Sequence, residues 1–134
     1  MKSFLPYSKQ FLDKSDIKSV VKTLKSNFIT QGPEISNFEK NFSKFTDAKY
    51  SVACATGTAA LHISCQAIDI NKNSTVVTTP ITFAASANCS QFLGAKILFA
   101  DIDPKNFCMS PDSLEKILKK NKVDLVIIVH MSGH

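Results

Sequence analysis

Arginine is absent from this chain, so its net charge of +5 rests on sixteen lysines set against eleven acidic residues. Arginine is the side chain best shaped for bidentate contact with phosphates and base edges, and its absence argues against a nucleic-acid partner. The lysines form no block either. Lys116, Lys119, Lys120 and Lys122 gather near one expected helix end, where cations suit the dipole and read as a solvated face. No C-x-x-C pair occurs: Cys54, Cys65, Cys89 and Cys108 are spaced by 11, 24 and 19 residues. That excludes the common zinc patterns and a disulfide framework, so no metal is expected and buried, reduced thiols are. No apolar run reaches the roughly 18 residues a membrane span needs. The opening Met1–Tyr7 lacks the apolar stretch of a secretory leader. A cytoplasmic protein with no membrane partner is the expectation. Glycine is scarce as well, with four in the chain and none arranged as G-x-G-x-x-G or G-x-x-x-x-G-K-[ST], which removes the dinucleotide and P-loop fingerprints.

What is present is the composition of one ordinary folded domain: 134 residues, 44% hydrophobic and 20% charged. Residues up to Gln10 carry little periodicity and would be mobile unless docked. Ile17, Val20, Val21 and Leu24 mark one face of a helix that Asp13 or Ser15 could cap. Gly32-Pro33 punctuates the chain, and Ile35, Phe38, Phe42 and Phe45 stripe a second helix that reads as packing against a core.

From residue 49 the pattern alternates. Strands are expected at Tyr50–Cys54, Thr75–Thr79, Lys96–Ala100 and Leu125–Val129, the last apolar enough for burial on both faces. Helices are expected from Thr58 to about Ile68, from Phe83 to Phe92 with Gly94 as its stop, and after Ser110-Pro111-Asp112, packing through Leu114, Ile117 and Leu118. This order predicts an α/β fold with a largely parallel sheet. The final His130–His134 follows a strand directly, as in a piece of a larger domain.

In an open sheet of this kind ligands bind beyond the carboxyl ends of the strands, which selects the candidates. Thr56-Gly57-Thr58 opens a helix, where free N–H groups, the dipole and two hydroxyls suit a phosphate. Pro80-Ile81-Thr82-Phe83 offers a hydroxyl and a ring, although Thr82 also suits a helix cap and Phe83 a core position. Asp101 and Asp103 suit a self-bonded turn better than a metal or ribose site. His130 could serve as an acid or base, whereas His62 lies within a helix and reads as structural.

Three blocks in order carry a resemblance: Phe28-Ile29-Thr30-Gln31-Gly32-Pro33 followed by Phe38-Glu39; Ala53 through His62 around Thr56-Gly57-Thr58; and Thr78-Thr79-Pro80-Ile81-Thr82-Phe83 through Asn88, continued by Gly94-Ala95 and Asp101–Asp103. Together they resemble the DegT/DnrJ/EryC1/StrS family of aminotransferases of nucleotide sugars, which use pyridoxal 5'-phosphate (PLP). Phe28 stands where the family more often has Trp, and Thr56 where Ser is common.

The resemblance implies the three-layer large domain of the aspartate-aminotransferase fold (PLP fold type I), incomplete here. Residues 1–48 would be an N-terminal arm with two helices, and 49–134 the first part of the PLP-binding domain. Thr56, Gly57 and Thr58 would hold the cofactor phosphate and Phe83 would stack on the pyridine ring. Gln31, Gly32, Pro33, Thr82 and His130 would be substrate or dimer contacts. The Schiff-base Lys, and the Asp paired with the pyridine nitrogen, are expected beyond His134; no Lys here matches that position, so this chain alone should be inactive.

The family's reaction moves an amino group, usually from glutamate, to a keto-sugar nucleotide, in homodimers. The T-T-P-I-T-F-A-A-S-A-N version most resembles transaminases making UDP-linked 4-amino-4,6-dideoxy sugars of the pseudaminic-acid type. A sugar dehydratase of the same family, with His in place of the reactive Lys, is the nearest alternative. A non-catalytic phosphate-binding module and an unrelated nucleotide-binding domain are the others.

Overall fold

A computed structural model describes residues 9–134, so the expected N-terminal arm lies mostly outside the described residues. The chain separates into two compact units, Met1–Ala53 and Cys54–His134.

The first unit holds α1 (Lys14–Leu24) and α2 (Pro33–Thr46). Asp13 caps α1 by accepting from the N–H groups of Ser15 and Asp16, while the Asp16 side chain accepts from the Asp13 N–H in return. This capping box satisfies donors that the first helical turn would otherwise leave open. The Ser15 hydroxyl first, and then these amides, hold the Asp13 carboxyl below its ordinary range. Pro33 occupies the first turn of α2, where its missing N–H goes unneeded. Gly32 before it is required by space: a Cβ there would stand 2.8 Å from the Phe28 carbonyl oxygen. Along α2, Glu39 accepts from the Ala53 N–H at 2.9 Å and Ser43 donates to the Ser51 hydroxyl at 2.8 Å, so the helix carries the segment that follows it.

Two expectations fail in this unit. The apolar faces of both helices are exposed rather than packed into a core, from Val21 at 42% to Phe45 at 89%. Two helices of 11 and 14 residues cannot enclose both stripes. Periodicity reported the helices correctly but not what covers them. The expected strand Tyr50–Cys54 also does not form, because extended backbone becomes a strand only beside a partner ladder, and none of the described strands pairs with it.

The second unit contains α3 (Gly57–Ala67), β1 (Thr75–Thr78), α4 (Ala85–Gln91), β2 (Lys96–Phe99), α5 (Pro111–Leu118) and β3 (Leu125–Val126), ending in a 3₁₀ turn at Met131–Gly133. The sheet is parallel with order β2-β1-β3, so the path from β2 to β3 crosses over β1. Successive residues of β1 feed opposite faces, as strand geometry requires. Val76 packs with Cys65 of α3 and Cys89 of α4, together with Ile97, Leu125 and Ile127. Val77 packs on the other face with Met109 and Ala100, joined by Leu114 and Ile117 of α5. Helices α3 and α4 therefore cover one face and α5 the other, which is the three-layer α/β arrangement expected. Both Val side chains are fully buried, and burial of this kind is worth about 1.5–3 kcal/mol per side chain.

The strands are shorter than expected. Leu125–Val129 pairs only over Leu125–Val126 and is half-buried, with Ile128 exposed, because β3 is an edge of this sheet. Leu118 is likewise exposed, while Leu114 and Ile117 pack. Gly94 follows α4 with φ +82, a left-handed conformation that favours glycine, and its Cβ position lies 3.2 Å from the Lys72 Cβ.

Candidate functional site

The first turn of α3 is built by Thr56. Its backbone is extended (φ −150, ψ 158), its hydroxyl accepts from the Ala59 N–H at 3.1 Å, and its carbonyl accepts from the Ala60 N–H. Two donors remain, the N–H groups of Gly57 and Thr58, which have no acceptor among the described residues. They stand at the positive end of the helix dipole and attract an anion. Gly57 is the first helical residue, and a Cβ added to it would meet nothing within 4 Å. Neither backbone strain nor packing against the described residues demands glycine there, and the described residues leave the space above it open. No acidic residue occupies the first turn.

The second element is the loop between β1 and α4. Phe83 is 78% exposed and so belongs to no core, contrary to one of its two expected readings. Thr82 does not cap α4; Ala84 stands at that position without a side-chain bond, and the Thr82 hydroxyl instead lies 2.9 Å from the Ser86 hydroxyl. Ser86 was not among the sequence candidates, although it stands one helical turn after Thr82. Thr79 was also missed: it is fully buried and its Oγ1 has no partner among the described residues.

The chain path brings these two elements to one end of the sheet. Helix α4 begins directly beyond the carboxyl end of β1, whereas α3 ends where residues 68–74 lead into the start of β1. His62 of α3 joins the helices by donating from Nδ1 to the Cys89 carbonyl of α4 at 2.9 Å, and its ring meets Phe92 edge-on. Gly57 precedes His62 by five residues and Phe83 precedes Cys89 by six, so both lie beyond this link on the side where the helices begin. His62 is structural, as expected. Near it the Cys65 and Cys89 sulfurs are 3.8 Å apart in the core, and burial, with the neighbouring thiol, pushes Cys65 up to about 11. Cys54, by contrast, is exposed, unlike the buried thiol expected.

The remaining candidates take other roles. Asp101 accepts from the Ile102 N–H and Asp103 from the Lys105 N–H, each at 2.8 Å, as turn-forming carboxylates do. No group of three or more His, Cys, Asp or Glu suited to a metal occurs among the described residues. His130 is exposed after β3, donates from Nδ1 to the His134 carbonyl at 2.7 Å, and borders a cavity of about 400 Å³ lined mainly by apolar groups such as Met109 and Leu114. Gln31, with φ +51, Gly32 and Pro33 belong to the first unit. No helix among the described residues is long and apolar enough to cross a membrane.

The sequence model of the DegT/DnrJ/EryC1/StrS aminotransferase family matches residues 10–134. The chain is 38% identical over 130 residues to the spore coat polysaccharide biosynthesis protein SpsC of Bacillus subtilis, covering 97% of this chain and 33% of that protein. It is 35% identical over 132 residues to the UDP-4-amino-4,6-dideoxy-N-acetyl-beta-L-altrosamine transaminase of Campylobacter jejuni, covering 97% of this chain and 35% of that one. Among solved structures, the PMP-form of the sugar aminotransferase Spr1654 of Streptococcus pneumoniae superposes with a TM-score of 0.87 at 29% identity, over 97% of this chain and 32% of that one. The chain thus spans about a third of the length of the relatives it matches.

Proposed function

The chain belongs to the DegT/DnrJ/EryC1/StrS aminotransferase family, and on that basis we propose that its second unit supplies the phosphate-holding turn and the ring-facing side of a PLP site. The observation that carries this reading is the open first turn of α3, with two unbonded N–H groups and free space at Gly57. These amides and the Thr56 and Thr58 hydroxyls would hold the cofactor phosphate. The exposed face of Phe83 would lie against the pyridine ring, excluding water from one side of it. When bound, the cofactor supplies an electron sink for amino-group transfer. The residues of this chain bind and orient; none of its lysines is assigned a catalytic role.

The substrate we propose is a UDP-linked 4-keto-6-deoxy sugar, with glutamate as amino donor and a homodimeric enzyme as the working form. The Campylobacter relative named above supports the sugar class. In this reading Gln31, Gly32, Pro33, Thr82 and His130 remain the candidates for substrate or partner-subunit contact, and Gln31, Pro33 and His130 are exposed. Gly32 also approaches Phe28, and Thr82 also bonds Ser86. The 134-residue chain alone is proposed to lack transaminase activity, which an assay of amino transfer from glutamate checks.

Titration of the ¹⁵N,¹³C-labelled chain with pyridoxamine 5'-phosphate tests the site itself. The Gly57 and Thr58 amides and the Phe83 ring should shift, and inorganic phosphate should move the amides but not the ring. Shifts confined to other residues, or a response to nucleotides alone, would refute the assignment.

A further inference from the structure

An exposed ring is a poor stacking surface unless something orders it, and the loop that carries Phe83 has few anchors. Pro80 has no N–H to give, Ala84 makes no side-chain cap, and both Ile81 and Phe83 are exposed. The Ala84 carbonyl accepts from the Ala87 and Asn88 N–H groups, and Ser86 supplies the bonds to Thr82 and Phe83. Its N–H donates to the Phe83 carbonyl at 3.0 Å, its hydroxyl bonds the Thr82 hydroxyl at 2.9 Å, and its own carbonyl accepts from the Cys89 thiol at 3.6 Å. Ser86 is 8% exposed and sits in the rigid start of α4, against the core. It therefore grips the residue carrying the ring and the residue before it, and ties both to a fixed helix.

We propose that Ser86, acting through the Thr82 hydroxyl, is a positioning residue that sets the orientation of the Phe83 ring before any ligand arrives. The ordering penalty of an exposed aromatic is then met in folding, and a flat ligand gains the stacking energy in full. The proposal rests on the cofactor reading for the identity of the flat ligand. The positioning role proposed for Ser86 does not depend on that identity. The sequence T-F-A-A-S encodes the device, because Thr82 and Ser86 are four residues apart and meet on one side of a single turn.

The chain contains no tryptophan, so Phe83→Trp introduces a single reporter fluorophore. Time-resolved anisotropy should show the indole largely immobile in this variant. Adding Ser86→Ala or Thr82→Val should increase its fast local motion, while Thr82→Ser, which keeps the hydroxyl, should not. In the background with Phe83 intact, Ser86→Ala and Thr82→Val should weaken pyridoxamine 5'-phosphate binding roughly threefold to tenfold, with Thr82→Ser close to the parent. Unchanged indole motion in both hydroxyl-deleted variants, with helical circular dichroism intact, would overturn the proposal. So would equal motion in Thr82→Ser and Thr82→Val, or ligand binding that ignores all three substitutions. If the parent binds no pyridoxamine 5'-phosphate at all, the cofactor reading fails and the anisotropy alone decides the positioning role.

Discussion

The imidazole of His62 donates from Nδ1 to the carbonyl oxygen of Cys89 at 2.9 Å, joining α3 to α4 at the level from which both helices run back to the site. Together with the packing of Cys65 against Cys89, this pair holds the first turn of α3 and the loop that carries Phe83 on one side of the sheet. Deleting the donor leaves the Cys89 carbonyl beside the core without its partner. His62→Ala should therefore lower the unfolding free energy by about 1–3 kcal/mol, read from urea denaturation followed by circular dichroism. Unaltered stability would remove His62 from this structural role.

Thr56 serves the fold and the proposed phosphate site with different atoms. Its oxygen caps α3 through the Ala59 N–H, and its hydroxyl hydrogen remains available to a bound phosphate. Thr56→Ala should lose about 1 kcal/mol of stability and weaken phosphate binding, whereas Thr56→Ser should keep both. A Thr56→Ser variant that behaves like Thr56→Ala would contradict a role carried by the hydroxyl.

The buried thiols give a pH signature. Folded Cys65 is pushed from 9.0 to about 11, so the folded chain holds its proton where the unfolded chain has released it. Its contribution is fully present below about pH 9 and is lost as pH rises through 11, at most about 1.4 kcal/mol per pH unit. The difference in unfolding free energy between the parent chain and Cys65→Ala should narrow over that window. A difference independent of pH between 9 and 11 would contradict the burial of this thiol as a neutral group.

Much of this molecule was legible in its sequence, for identifiable reasons. Caps and breakers act locally, so Asp13, Pro33, Gly94 and Ser110 marked helix ends where the structure has them. The alternation of strands and helices gave the parallel sheet, and the family resemblance gave its three layers. What failed depends on distant partners. Among the described residues Tyr50–Cys54 has strand composition but no paired strand, and Phe38, Phe42 and Phe45 have core composition but stay exposed. Composition sets what a segment can pair with or bury, not whether the surface that would do so lies within the same stretch of chain. In the proposed site, the helix start at Thr56 and Gly57 was legible because a helix start is a local pattern. Ser86 was missed because its bond to Thr82 appears only when the turn closes, and Thr79 because burial of a strand-end hydroxyl depends on the packed layers around it.

The two glycines Gly32 and Gly57 should respond in opposite ways. A methyl group at position 32 would collide with the Phe28 carbonyl at 2.8 Å, so Gly32→Ala should destabilise the first unit, by about 1–3 kcal/mol. Loss of helical signal at lower urea than in the parent is the expected result. An unchanged midpoint would mean that the turn relaxes without strain.

The decisive measurement is a paired one on Gly57→Ala: unfolding free energy by urea denaturation, and pyridoxamine 5'-phosphate affinity by calorimetry. A methyl group there meets nothing among the described residues, and alanine favours the helix, so stability should hold or rise by up to about 1 kcal/mol. The same methyl group would fill the space in which the phosphate approaches the Gly57 and Thr58 amides, so affinity should fall by about tenfold or more. Retained affinity in the stable variant would contradict a phosphate site at the first turn of α3.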